Sequence, residues 1–255
     1  MRRASLAGVS DLALADHESV GAFHLDGGRL AAQADEMGVR LIPAIEIDAE
    51  VRGHEVHVLG HGIDPQSPEL LTHCQQIQLA RRRRTAEELV QVNERLGGVL
   101  REDEVFIAQR ETFMRPNLIL PLLDKRLFPS YGAAARWFSD HIRPITQLGR
   151  PSVTEAIALI HHAGGRAAIA HPGYGIVEGW LDLEADLRSF AQAGLDAVEW
   201  DYPYAVCSPQ LFDQGKEAAV MRSVREVAAT LGLELTAGSD SHRPEEFEAR
   251  WVILR

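Results

Sequence analysis

Six short apolar runs, separated by longer segments with helical periodicity, restrict this chain to an alternating α/β architecture. The runs are Asp11–Ala15, Arg40–Ile47, Glu55–Gly60, Ala167–Ala170, Ala197–Trp200 and Glu234–Ala237. Strands that alternate with helices favour a parallel sheet or a (β/α) barrel, because each helix returns the chain to the same end of the sheet. At 255 residues the chain can bury a large core, either as one α/β domain or as a domain with an insertion.

The segment 65–148 interrupts this alternation. It predicts one long helix from Pro68 to Leu96, with Ser67 as its cap, and shorter helices at Glu102–Arg110, Asn117–Leu127 and Tyr131–His141. We therefore expect a helical insertion at 65–148 within a barrel formed by 1–64 and 149–255.

Two helices outside this segment carry recognisable ends. Ser152 and Glu155 have the spacing of a capping box, in which each side chain accepts a backbone N–H from the other end of the first turn. A second helix is predicted at Pro209–Leu231, with Gly232 as its stop.

Composition argues against several classes of protein. A formal net charge of −11 argues against broad nonspecific binding to nucleic acid. No apolar run approaches the roughly 20 residues of a membrane span, and no signal peptide is evident, so we expect a cytoplasmic protein without membrane association. Cys74 and Cys207 form no CxxC pattern, which suits a reducing compartment and offers no thiolate metal site.

Side chains that can bind metal ions recur at the predicted strands, mostly where a strand ends. They are Asp16 and His17, Glu46, His57, His171, Asp201, and Asp240 with His242. In a barrel the C-terminal ends of all strands open on one mouth, so these groups would converge there. Imidazole and carboxylate groups suit zinc, manganese or iron, and their recurrence predicts a metal centre.

Five of these segments together resemble the PHP (polymerase and histidinol phosphatase) metallo-phosphoesterases. The stretch "ALADHES" resembles the T-D-H motif of that family, "IPAIEID" its G-x-E motif and "GHEVHVLGHGID" its H-x-L-G strand. The stretches "AIAHPG" and "AGSDSH" resemble its H-P-G turn and its G-S-D-x-H ending. The insertion's "MRPNLILPLL" is similar to the bacterial branch of nucleotide phosphatases and 5′→3′ exoribonucleases.

This resemblance implies a distorted (β/α) barrel that binds one to three divalent ions, such as manganese, zinc or iron. The implied ligands are Glu46, His57 and His171 for one ion, Glu46 and Asp240 for another, and His17 and His242 for the third. The implied reaction is hydrolysis of a phosphomonoester of a nucleotide or nucleoside bisphosphate, or of a short RNA. The ions would stabilise the charge of the transition state and activate a water, while Arg115 would neutralise a substrate phosphate.

The start of the chain departs from the family pattern. Family members carry an H-x-H strand well before the T-D-H motif, whereas fifteen residues precede Asp16 here and none of them resembles it. By analogy we expect the first barrel strand to be absent, and Asn117 also replaces the histidine of an R-P-H segment. The chain would then be truncated, begin at an internal methionine, or be a degenerate scaffold with partial metal binding and little or no catalysis.

An absent strand would leave two exposed sheet edges, at Asp11–Ala15 and at Glu234–Ala237. We expect one of three outcomes: pairing of these edges with each other, a segment of a second chain in a homo-oligomer that fills the gap, or local disorder near Met1. The C-terminal "RWVILR" is the best candidate to cover an edge, in its own chain or in a neighbour's. An amidohydrolase-type metal hydrolase is a weaker alternative, since it would need a bridging lysine or its own H-x-H strand, and neither is evident.

Overall fold

The structure is a computed structural model, and it describes residues 1–108, 110–242 and 246. The chain divides into two compact units. One comprises Met1–Leu71 with the chain from Pro151 onward, and the other comprises Thr72–Arg150. No helix in the described part of the chain combines the length and the hydropathy that a membrane crossing requires.

A single mixed sheet forms the centre of the first unit. Its strands are β1 (Asp11–His17), β2 (Arg40–Val51), β3 (His54–His61), β4 (Arg166–Ile169), β5 (Ala197–Asp201) and β6 (Glu234–Ala237). They lie in sequence order, and the sheet curls into a half-barrel. The predicted α/β class is therefore confirmed.

Strand direction differs from the parallel arrangement that the alternating pattern favoured. β1 runs parallel to β2, and β4, β5 and β6 run parallel to one another, but β3 is antiparallel to both of its neighbours. The pairing of β3 with β2 is antiparallel because the two-residue connection Arg52–Gly53 is too short for a crossover. Both residues have positive φ, as in the type I′ turns that join antiparallel strands.

The two edges of the sheet are β1 and β6, and within the described residues they do not pair with each other. Direct closure of the edges, one of the expected arrangements, is therefore not found in this part of the chain. The segment "RWVILR" lies outside the described residues. The absence of a first barrel strand stays a prediction.

The helices agree closely with the sequence pattern in their centres and less closely at their ends. In the described part of the chain they are α1 (Arg2–Leu6), α2 (Leu30–Glu36), α3 (Pro68–Leu96), α4 (Glu102–Val105), α5 (Pro116–Asp124), α6 (Tyr131–His141), α7 (Val153–His162), α8 (Gly173–Glu178), α9 (Leu183–Gln192), α10 (Tyr204–Cys207) and α11 (Gln214–Leu231). Helix α11 begins later than Pro209 because Asp213 provides its N-cap, accepting a hydrogen bond from the backbone N–H of Lys216.

Helix α7 packs against the outer face of the sheet. Ser152 and Glu155 form the predicted capping box at its start. Further along, Ile160 approaches Gly60 of β3 so closely that a Cβ added to Gly60 would lie 2.9 Å from Ile160 Cγ1. The same Cβ would lie 3.1 Å from Cγ2 of Ile45, which is opposite Gly60 in the register and fully buried. Glycine therefore allows the helix to reach the sheet.

The second unit has a core of its own. Helices α3 to α6 bury Leu89, Val92, Leu118, Leu122 and Phe138 against one another. Asn117, at the position where the family carries a histidine, accepts a hydrogen bond from the backbone N–H of Met114 at 2.9 Å.

We expect Gly60→Ala to lower the free energy of unfolding by about 1–3 kcal/mol, because overpacking forces Ile160 and Ile45 to move. Gly132→Ala in α6 is the control, since its added Cβ would meet nothing nearer than Arg136 Nη1 at 3.8 Å. That variant should change stability by no more than about 1 kcal/mol. Urea denaturation of both variants checks this, and equal losses of stability would contradict the packing.

Candidate metal centre

Strand pairing collects four ionisable side chains on the inner face of β1, β2 and β3. Residues two apart on a strand point to the same face, so Glu46 and Asp48 lie side by side on β2. In the register of the sheet, His17 lies opposite Glu46, and His57 lies opposite Asp48. Because β3 is antiparallel, His57 reaches the site from the first half of its strand and not from a C-terminal end.

A third histidine reaches the same place from β4. His171 follows that strand, and the preceding Ala170 donates a backbone hydrogen bond to the carbonyl of His57 at 3.0 Å. The Nε2 atom of His171 lies 3.2 Å from Nδ1 of His57 and 3.7 Å from Oε1 of Glu46. His171 has a φ of +29°, a left-handed conformation that is unfavourable for a residue with a side chain.

These side chains form two overlapping groups that could hold a metal ion. One is Glu46, His57 and His171, and the other is His17, Asp48 and His57. Within each group the candidate ligand atoms lie within 4.8 Å of one another. Oε1 of Glu46 is 2.7 Å from Nδ1 of His57, and its Oε2 is 3.5 Å from Nε2 of His17. Imidazole and carboxylate donors gathered at this density fit a divalent ion of the zinc, manganese or iron type.

The electrostatics of the site favour a cation. Burial opposes ionisation of Glu46, yet the charge of His17 and hydrogen bonds with His171 and His57 hold the pKa of Glu46 well below its usual range. Burial also opposes protonation of His57, but hydrogen bonds with Glu46 and Glu55 raise the pKa of His57 to about 10. In the ion-free protein a proton therefore lies on His57 between these carboxylates, where a metal ion would supply positive charge instead.

A cavity of about 330 Å³ opens beside these groups. Its wall includes β1 and the segment that follows β6, the two edge strands of the sheet, together with residues of the strands between them. The ionisable residues that line it are Asp16, His17, Glu46, His61, His171, Glu199, Asp240 and His242.

Asp240 and His242 line this cavity but, among the described residues, belong to neither group of converging ligands. Asp240 Oδ2 accepts a hydrogen bond from the hydroxyl of Tyr202 at 2.7 Å. The side chain of His242 is 62% exposed, and its ring centroid lies 6.4 Å from that of His17. Their roles as ligands of further ions stay predictions.

Two acidic residues of the site, Asp48 and Glu199, were not among the predicted site residues. The E-x-D alternation of "IEID" would have indicated Asp48, since strand periodicity puts it on the face of Glu46. Burial raises the pKa of Glu199 to about 7, although the charge of His171 and a hydrogen bond from its backbone N–H oppose the rise. A Cβ on Gly238 would lie 1.9 Å from Oε1 of Glu199, so glycine makes room for this carboxyl group.

Arg115, the predicted phosphate ligand, belongs to the second unit, where it precedes α5. Its Nε lies 3.5 Å from Oε1 of the buried Glu88. Its contact with substrate stays a prediction.

Comparisons with known proteins identify relatives over nearly the whole chain. No family model matches the sequence. The chain is 28% identical to the 5′-3′ exoribonuclease Rnm of Escherichia coli, over 96% of this chain and 78% of that protein. It is also 28% identical to a 3′,5′-nucleoside bisphosphate phosphatase of Chromobacterium violaceum, over 96% of this chain and 81% of that protein. The resemblance to the PHP metallo-phosphoesterases is confirmed.

A solved structure gives the same fold. It is the crystal structure of a protein from Bifidobacterium adolescentis described as a metal-dependent phosphoesterase, with a TM-score of 0.74 and 24% identity. The alignment covers 94% of this chain and 80% of that one. The half-barrel sheet is thus shared with this neighbour.

We expect zinc binding to release at least one proton at neutral pH, because the pKa of His57, about 10, keeps its ring protonated in the ion-free protein. The proton on His57 competes with zinc for the same nitrogen. Raising the pH removes this proton, so the affinity for zinc increases. Between about pH 7 and pH 8.5 the apparent affinity should rise about tenfold per pH unit. Calorimetry in two buffers with different ionisation enthalpies measures the released protons, and an affinity independent of pH would contradict this account.

Proposed function

We propose that this protein is a divalent-metal-dependent phosphoesterase that hydrolyses a phosphomonoester of a nucleotide or nucleoside bisphosphate, or a short RNA. The convergence of Glu46, His57 and His171 beside a cavity is the observation that carries the proposal. The phosphatase of C. violaceum and the exoribonuclease of E. coli support the substrate class, because both act on phosphoesters of nucleotides or RNA.

The chain's own residues would bind and neutralise the ion. Glu46 supplies an ionised carboxylate in the wall of the cavity, and His171 and His57, the latter once it has lost its proton, supply nitrogen donors. A bound divalent ion supplies stabilisation of phosphoryl charge and a nucleophile at neutral pH. We propose that manganese, zinc or iron fills this role, with one to three ions per chain.

The charge of the cavity explains why a phosphate substrate would depend on the ion for binding as well as for reaction. Three acidic residues, Glu46, Glu199 and Asp240, line the wall. In a partly desolvated cavity these groups disfavour an anionic ligand. Cations held by the site would make the net charge of the cavity favourable to an anion. We therefore expect chelation of these ions to abolish nucleotide binding together with turnover.

The alternative is a scaffold that binds metal and does not turn over. It is favoured by the positions of Asp240 and His242, which lie outside the two converging groups among the described residues. The two functions differ in one measurable way, because a scaffold would bind zinc and nucleotide without releasing phosphate.

We expect His171→Ala to reduce manganese-dependent release of phosphate from adenosine 3′,5′-bisphosphate more than about 100-fold, because the ion loses one of its ligands. His162→Ala is the matched control, since this exposed histidine lies in the last turn of α7. It should keep full activity.

Unchanged activity in His171→Ala, or activity that survives chelation, would contradict the metal-dependent mechanism. Zinc binding without phosphate release from any nucleotide or short RNA would exclude the enzyme and favour the scaffold.

A further inference from the structure

The two ring nitrogens of His17 face different carboxylates. Its Nε2 points to Oε2 of Glu46 at 3.5 Å, while its Nδ1 is 2.8 Å from Oδ1 of Asp48. The first distance is close to the separation of about 3.3 Å that two ligand atoms have when each lies about 2.0–2.1 Å from a tetrahedral ion. The second is the length of a charge-assisted hydrogen bond. The ring thus has one nitrogen suited to an ion and one suited to a proton.

We infer that Asp48 is a positioning residue that holds the proton of His17 on Nδ1, so that the lone pair of Nε2 faces an ion bound beside Glu46. An ionised carboxylate accepts hydrogen bonds and donates none, so a hydrogen bond to Asp48 places the proton on Nδ1. The inference rests on the proposed metal-dependent function. It adds Asp48, as a residue that orients a ligand, to the six side chains that the family resemblance implied as metal ligands: His17, Glu46, His57, His171, Asp240 and His242.

The structure holds Asp48 firmly enough for this role. Asp48 is fully buried, and its backbone N–H donates a hydrogen bond to Oε1 of Glu18 at 2.8 Å. Glu18 follows His17 directly, is itself fully buried, and donates its own backbone N–H to the carbonyl of Glu46 at 2.9 Å. Two hydrogen bonds of Glu18 therefore join the end of β1 to Glu46 and Asp48 in the middle of β2, next to the His17–Asp48 pair.

His57 has the same arrangement with a different carboxylate. Its Nδ1 faces Glu46 at 2.7 Å, while its Nε2 is 3.0 Å from Oε1 of Glu55. Metal-binding histidines commonly donate their second N–H to a carboxylate, which fixes the ring orientation and makes the other nitrogen a stronger donor. Asp48 and Glu55 thus each contact the ring nitrogen of a histidine, His17 or His57, whose other ring nitrogen faces Glu46.

The competing interpretation is that Asp48 binds an ion directly with His17 and His57, since their ligand atoms also lie within 4.8 Å of one another. An ion in that position would replace the proton between His17 and Asp48 and coordinate Nδ1. The inference requires coordination through Nε2. The two interpretations therefore differ in which nitrogen of one ring carries the metal.

The experiment is ¹H–¹⁵N NMR of the histidine rings in the full-length chain, with the His17 signals assigned from His17→Gln. With zinc bound, we expect Nδ1 of His17 to keep its proton and Nε2 to show the shift of a coordinated nitrogen. Without metal, at a pH where the ring is neutral, we expect the Nδ1–H tautomer. His161 serves as an internal control, because its Nε2 faces Asp196 at 2.8 Å and it should show the opposite tautomer.

Asp48→Asn should then shift His17 toward the Nε2–H tautomer and weaken zinc binding about 10–100-fold. Asp196→Asn removes the carboxylate that faces His161, and it should leave the tautomer of His17 and the zinc affinity unchanged. Zinc on Nδ1 of His17, or a metal-free Nε2–H tautomer in the wild-type chain, would overturn the inference even if Asp48→Asn does not fold. Failure of the protein to bind any zinc would count against the proposed function, while the metal-free tautomer would still test the role of Asp48.

Discussion

The antiparallel pairing of β2 with β3 is the constraint on which the site depends. It places His57 opposite Asp48 and beside Glu46, and the turn at Arg52–Gly53 fixes that register. A shift of one residue would turn every side chain of β3 to the other face of the sheet. The buried contacts of Gly60 with Ile45 and Ile160 on the outer face oppose such a shift. Packing on one face of the sheet therefore determines the chemistry on the other.

Much of this arrangement could be read from the sequence, because it depends on local patterns. The helix Tyr131–His141 and the long helix Pro68–Leu96 have the predicted bounds, and the capping box at Ser152 and Glu155 is present. A helix was predicted at Glu102–Arg110, but the observed helix ends at Val105. The sequence has no strong stop signal after Val105, so the pattern did not predict this earlier end. Local patterns give the centre of a helix more reliably than its limits.

The site was predictable only as far as each side chain belonged to a recognisable motif. His171 and Glu46 follow from the motifs at their strands, and the structure places them 3.7 Å apart. The antiparallel direction of β3 could not be derived from alternation of strands and helices, because it depends on a two-residue turn. Glu199 was missed because its burial and its contact with the His171 backbone arise only when β4 and β5 pair.

Among the described residues, five with side chains adopt positive φ, and three of these border the site: Glu18, His171 and Asp240. Each left-handed residue of this kind costs about 1–2 kcal/mol relative to an ordinary conformation, and glycine would remove most of that cost. The chain thus retains strain where its side chains build or support the site, and gives up some thermodynamic stability at those positions. Efforts to make this protein more heat-resistant should therefore exclude these three positions, because the substitution that relaxes the backbone also deletes the group that the backbone presents.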